Sequence, residues 1–208
     1  MAPAPLPLWR VAAPFVALLV LILVCRLRPV PLLQAVLRVC LAFVGYGMLQ
    51  DQISARLCPE YFTIGHPPVP GLADPTLLGL VWGVLGGLPG GIVLGVLAAL
   101  AARSGPWPPL EAPALRRPLL LLVGVLAAGT LIAGGSAAYN AAVIDIALGE
   151  PWAALIPPER QRPFFIVASA HFGTYLSGAL GGLGLLGWIA ATRRAAAKGA
   201  RDGAAGGD

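Results

Sequence analysis

A chain of 208 residues that is 58% hydrophobic and only 11% charged lies outside the range of soluble globular proteins. It has room for one helical membrane domain and none for a separate soluble one. The net charge of +5 sits mostly in short connections and the tail, a distribution set by membrane topology, so nucleic acid is not an expected partner.

The first predicted element is the apolar segment Val11 to Cys25. Its length suits a signal peptide, and Arg10 precedes it. The residues that follow, Arg26, Leu27 and Arg28, form no small-x-small cleavage site, and Leu23 and Val24 make a poor lipoprotein site, so an uncleaved helix is expected. Pro29 and Pro31 break the chain before the second segment, Leu32 to Gln50. That segment carries one intramembrane charge, Arg38. About two turns from the helix start, it can snorkel to the interface.

A polar connection follows, and it differs in composition from the rest. It packs Asp51, Arg56, Cys58, Glu60, Tyr61, Phe62 and His66 into one short stretch. A plain hairpin loop would be built of Gly, Ser and Asn. The plain reading is an interfacial segment anchored by Tyr61 and Phe62 and pinned by an Asp51–Arg56 or Glu60–Arg56 pair. The sharper reading is a functional site.

The third segment, Pro75 to Ala102, is 28 residues without one charge. A helix of roughly 20 apolar residues crosses a bilayer core. Its glycines recur every fourth residue: Gly79, Gly83, Gly87, Gly91 and Gly95. Such a row leaves one helix face bare and admits a neighbouring helix closely. Pro89 sits in the middle of this helix, is expected to kink it, and frees a carbonyl that needs a partner. A Pro-rich loop leads to the fourth segment, Pro118 to Ile144, which offers Gly124, Ala128, Gly134, Gly135 and Ser136. Tyr139, Asn140 and Asp145 lie at its far end. A second Pro-rich loop leads to the fifth segment, Phe164 to Ala191, with a small-residue row of Ser169, Gly173, Ser177 and Gly181. These rows predict that the last three helices form one tight bundle. Packing within the chain is the plain reading, and a homo-oligomer or another membrane protein is the alternative partner. The tail, residues 193–208, is rich in Ala, Gly and Arg, and is expected to be disordered and cytoplasmic.

The fold class is therefore all-α: a polytopic transmembrane helical bundle over residues 1–192, with five spans, or four if the first segment does not cross. Nine Lys and Arg residues fall on one side of a five-span topology and four on the other, counted from the sequence. The positive-inside rule then places the N-terminus outside, the C-terminus in the cytoplasm and the 51–74 connection outside. The expected location is the cell inner membrane.

The connection Asp51-Gln52-Ile53-Ser54-Ala55-Arg56, followed by Glu60-Tyr61-Phe62-Thr63-Ile64-Gly65-His66-Pro67, resembles a motif of uncharacterised bacterial multi-pass membrane proteins. The surroundings of Asp74-Pro75-Thr76, Trp82-Gly83 and His171 are similar too. The resemblance spans most of residues 40 to 190 and implies a small bacterial integral membrane protein. It transfers no activity and no catalytic residue.

His171 and Tyr175 share a helix face inside the fifth segment. An ionisable residue there is costly and needs a partner. The expected partners are Asp145 or Asn140. Asp51, Arg56, Glu60, His66, Asn140, Asp145, His171 and Tyr175 together form the candidate cluster on the outer side. The plain reading of His171 is a neutral ring that bridges helices. Two histidines from distant segments give no metal-ligand spacing, so neither metal nor cofactor is expected. No phosphate-binding or dinucleotide motif occurs. Two functions compete. The first is a structural or interaction component of a membrane assembly, suggested by the glycine rows. The second is an outward-facing small-ligand or metal-binding site of a transporter or membrane enzyme, suggested by the one-sided polar cluster.

Overall fold

The computed structural model describes residues 4–144 and 146–205. It is 81% helical, with no strand among the described residues. Its elements are α1 (Leu8–Leu27), α2 (Pro31–Leu57), the short α3 (Glu60–Thr63), α4 (Pro75–Arg103), a single 3-10 turn (Ala112–Leu115), α5 (Arg116–Val143), the short α6 (Trp152–Leu155) and α7 (Pro158–Ala205). Five helices are long and apolar enough to cross a membrane. The protein is a multi-pass membrane protein built as an all-α bundle.

Helix ends follow local chemistry. Pro31 and Pro75 sit at helix starts, where the missing N–H would lack an intrahelical partner anyway. Asp74 caps α4 by accepting from the Leu77 N–H at 2.9 Å. Two helices run beyond their expected limits. α2 continues past Gln50 to Leu57, carrying Asp51, Ser54 and Arg56 on its last two turns. α7 begins at Pro158, with Pro163 inside it, and continues to Ala205.

The tail is thus helical through its described part, against the expected disorder. Arg193 anchors its start. Its side chain is buried and donates to the carbonyls of Ala101, Ser104, Trp107 and Pro108. A guanidinium has five N–H donors, so one side chain satisfies the orphan carbonyls after α4 and ties the loop to α7. Arg194 lies over the Trp107 ring, 4.7 Å from its centroid.

The helices pack as two tight pairs rather than as one bundle of the last three. α2 lies along α4, and α5 lies along α7. The row Gly79, Gly83, Gly87, Gly91 and Gly95 faces α2, not α7. A Cβ on Gly87 would stand 2.8 Å from the Phe43 carbonyl oxygen, and one on Gly91 would stand 2.8 Å from the Cys40 Cα. Only glycine allows that approach. Gly173, Ser177 and Gly181 of α7 pack on Gly129, Ala133, Leu122 and Val125 of α5. Gly124 and Gly135, expected in this contact, face open space.

The main core is built by Val39, Cys40 and Val44 of α2, Val84 and Leu88 of α4, Leu119 and Leu122 of α5, and Leu185 and Ile189 of α7. A second cluster closes the other end, where Phe62, Leu78, Ile156, Phe164 and Val167 meet. α1 is the least embedded span. Leu18 and Leu21 touch the main core, while Leu19, Val20 and Leu23 are exposed. The Leu6 N–H donates to the Pro68 carbonyl at 2.9 Å, which ties the start of the chain to the 51–74 connection.

Candidate functional site

The two helix pairs join in the main core and leave a gap beside it. Between α4 and α7 lies a cavity of about 660 Å³, within the size range of small-molecule sites. It is bounded by Trp82 to Leu97 on α4 and by His171 to Leu186 on α7. At 1.5 Å per residue each wall is about 22 Å long. Gly86, Pro89 and Gly90 line it on one side, and Gly178 and Gly182 on the other. Gly86 leaves room here, while Gly178 and Gly182 close on Leu126 and Leu94. Val93 is 63% exposed and Leu183 is 67% exposed, so the trough is open along its length to the surroundings of the helices.

The walls are apolar below and polar at one end. Asp51, with 5% of its surface exposed, and His171, with 6%, meet there. The His171 Nε2 lies 3.5 Å from the Asp51 Oδ1 and 3.1 Å from the Ser54 Oγ. Asp51 and Ser54 are three apart on α2 and present one face to α7. These two stand where Asn140 was expected. Asn140 is exposed on α5, and Asp145 lies outside the described residues. The C-terminal carbonyl of Ala141 is taken by Arg162.

Aromatic rings wall the pair. Tyr61 stacks on His171 with centroids 4.5 Å apart, and His66 packs between Tyr61 at 4.7 Å and Trp82 at 4.8 Å. The His66 Nδ1 lies 2.8 Å from the Tyr61 carbonyl oxygen. A carbonyl only accepts, so Nδ1 carries the proton. Tyr175, one turn beyond His171, is exposed at the margin of the cavity.

A chain of hydroxyls joins three helices beside this end. Tyr46 and Thr130 lie 2.5 Å apart, Thr130 and Thr174 lie 2.6 Å apart, and Thr174 donates to the Gln50 Oε1 at 2.7 Å. Each hydroxyl has one proton to give. The Leu126 and Ala170 carbonyls, at 2.9 and 3.1 Å, compete for the threonine protons; with Thr174 donating to Gln50, the chain runs Tyr46 to Thr130 to Thr174 to Gln50. It ends on an amide whose Nε2 is buried without a partner. The indole Nε1 of Trp82 is also buried and unpartnered. Both residues line the cavity. Unsatisfied buried donors are uncommon and costly, by about 1–3 kcal/mol each.

Two candidate residues stand apart from the cavity. Arg56 donates to the Gln52 Oε1 and to the Thr76 Oγ1 at 2.7 and 2.9 Å, and pairs with neither Asp51 nor Glu60. It joins the end of α2 to the start of α4. Glu60 is held by Arg160 through two bonds of 2.9 Å, and the Cys58 thiol donates to it at 3.3 Å. Burial acts to raise the Glu60 pKa, but the bonds from Arg160 and Cys58 outweigh it and hold the carboxyl below its ordinary value. Burial, and then the hydrogen bond to Glu60, push the Cys58 thiol up to about 11, so it is a protonated, unreactive group.

Of the candidates, the structure brings together Asp51, His66, His171 and Tyr175. Gln50, Ser54, Trp82, Thr130 and Thr174 complete the site, and none was among them. Helical spacing alone placed three of them on the right faces. Gln50 and Ser54 are four apart on α2, and Thr174 follows His171 by three on α7. Among the described residues, no group of three His, Cys, Asp or Glu side chains is placed to hold a metal ion. Comparison with family models, with curated proteins and with solved structures gives no match.

Proposed function

We propose that this protein is a membrane receptor or carrier for a neutral, elongated amphiphile, held in the cavity between α4 and α7. The single observation that carries the reading is the pairing of two unpartnered buried donors, Trp82 Nε1 and Gln50 Nε2, with a trough that is apolar along its length. A ligand head with a carbonyl-type acceptor satisfies those donors. A hydroxyl on the same head donates to Asp51. A charged head would carry a large desolvation cost at this depth. The alkyl tail lies against Leu85, Val93, Leu94 and Leu183. Because the trough is open along its side, the ligand reaches it from the lipid phase.

An assembly role drew its support from the glycine rows. Both rows are occupied within the chain, against α2 and α5, so the ligand reading has the better ground. The polar end sits on the side of the 51–74 connection. With nine basic residues at the opposite ends of the helices, the positive-inside rule makes this the outer side of a bacterial inner membrane, with the C-terminus cytoplasmic. The family resemblance of the 51–67 string belongs to this proposal and adds no activity to it. A fluorescent protein fused to the C-terminus should fluoresce, and a cysteine placed at Glu159 should react with an impermeant reagent from outside.

The ligand reading is tested with a long-chain hydroxyketone that carries a diazirine in its tail. Photolysis should label the α4 and α7 walls saturably, and Trp82→Phe with Gln50→Leu should weaken labelling about tenfold, the worth of one or two lost hydrogen bonds. If a headless alkyl diazirine labels the same peptides equally well, the cavity has no head-group specificity and the reading fails.

A further inference from the structure

A second cleft lies at the opposite end of the molecule, between α1 and α2, with a volume of about 430 Å³. Its polar lining is Arg26, Gln34 and Arg38, and its apolar walls include Ile22, Leu37 and Leu41. Gln34 and Arg38 are one turn apart on α2 and present their side chains to the same space. Arg38 lies seven residues into the helix, about 10 Å from its start. Its Nε is buried without a hydrogen-bond partner. Among the described residues, the salt bridges involve neither Arg26 nor Arg38. A guanidinium inside an apolar helix needs an anion or an acceptor, and among the described residues none reaches the Arg38 Nε.

We propose that this cleft binds the phosphate of an anionic lipid from the leaflet at the arginine-rich end. Two guanidinium forks and one amide suit a group with several oxygen acceptors and a negative charge. The apolar walls continue from the polar lining, so a lipid seats its phosphate on Arg38 and Arg26 and its acyl chains along Ile22 and Leu41. Occupancy accounts for the orphan Nε, and it gives the sparsely embedded α1 a bridging partner to α2. The inference is independent of the α4–α7 cavity, because the two sites share no lining residue.

The test uses the full chain in mild detergent and native mass spectrometry with added phosphatidylglycerol, phosphatidylcholine or inorganic phosphate. Phosphatidylglycerol should bind about tenfold more tightly than phosphatidylcholine, and Arg38→Gln should abolish the preference. Arg26→Gln, at an exposed position, should reduce it severalfold and serves if the Arg38 variant does not fold. Equal binding of both lipids, or a preference that survives both substitutions, overturns the proposal. Binding of inorganic phosphate that displaces phosphatidylglycerol and is itself lost in Arg38→Gln assigns the cleft to free phosphate and overturns the lipid assignment.

Discussion

The two faces of α4 carry the same residue type and do opposite things. One face, through Gly83, Gly87 and Gly91, lies so close to α2 that no side chain fits. The other face, through Gly86 and Gly90, borders the cavity. A Cβ at Gly86 meets nothing within 4 Å. A glycine row in a membrane helix is therefore no guide by itself to a helix contact. What separates the two cases is the neighbour: α2 presents backbone to the first face, while the second meets only the Phe43 ring at Gly90 and nothing at Gly86.

The largest expected effect breaks the closed face. Gly87→Val puts a branched side chain into the Phe43 backbone and should cost about 3 kcal/mol or more, as overpacking does at its upper end. The check is the monodisperse fraction on size exclusion, which should collapse. Full retention would mean that α2 and α4 are not held as described.

A smaller effect tests the polar end. Asp51→Ala removes the carboxylate 3.5 Å from His171, leaves the imidazole with Ser54 alone beside a buried gap, and should destabilise by roughly 1–3 kcal/mol. Asp51→Asn keeps the shape and should retain most of that stability while weakening ligand labelling. Thermal melts of the two variants in one detergent make the comparison, and equal melts would detach Asp51 from His171.

The smallest effect lies outside the membrane spans. Arg160→Gln breaks the latch on Glu60, and a partly exposed pair of this kind is worth about 1 kcal/mol. The folded carboxyl titrates below its ordinary value. The contribution is therefore fully present above about pH 4.3, the ordinary Glu value, and is lost as pH falls through the lower folded value. The melting difference between wild type and variant should vanish in strong acid and stay constant between pH 6 and 8.

The spans were legible in the sequence because uninterrupted apolar runs leave little choice in lipid. His171 and Tyr175 were legible because a titratable or phenolic group in an apolar segment stands out, and Asp51 and His66 because their polar connection differs in composition from the rest of the chain. Their pairing was not. His171 was matched to Asn140 and Asp145 by depth, yet depth along the membrane does not say which helix lies beside which. The glycine rows had the same ambiguity and pointed α4 toward α7 rather than α2. Thr130 and Thr174 were hidden for another reason. A Thr in a membrane helix can bond its own backbone, as both do with the carbonyls one turn back, so the residue type alone does not announce a network. The bonds of Arg193 were not legible, because its four carbonyl partners come from a loop some 90 residues away.

The most direct measurement is saturable photolabelling by the long-chain hydroxyketone probe in Gly86→Leu, with Gly135→Leu as the reference. Both positions face open space, so both variants should fold. Gly86→Leu fills the cavity between α4 and α7 and should abolish labelling, while Gly135→Leu, on the outer face of α5, should leave it at the wild-type level. Undiminished labelling in a folded Gly86→Leu variant would contradict the assignment of this cavity as the ligand site.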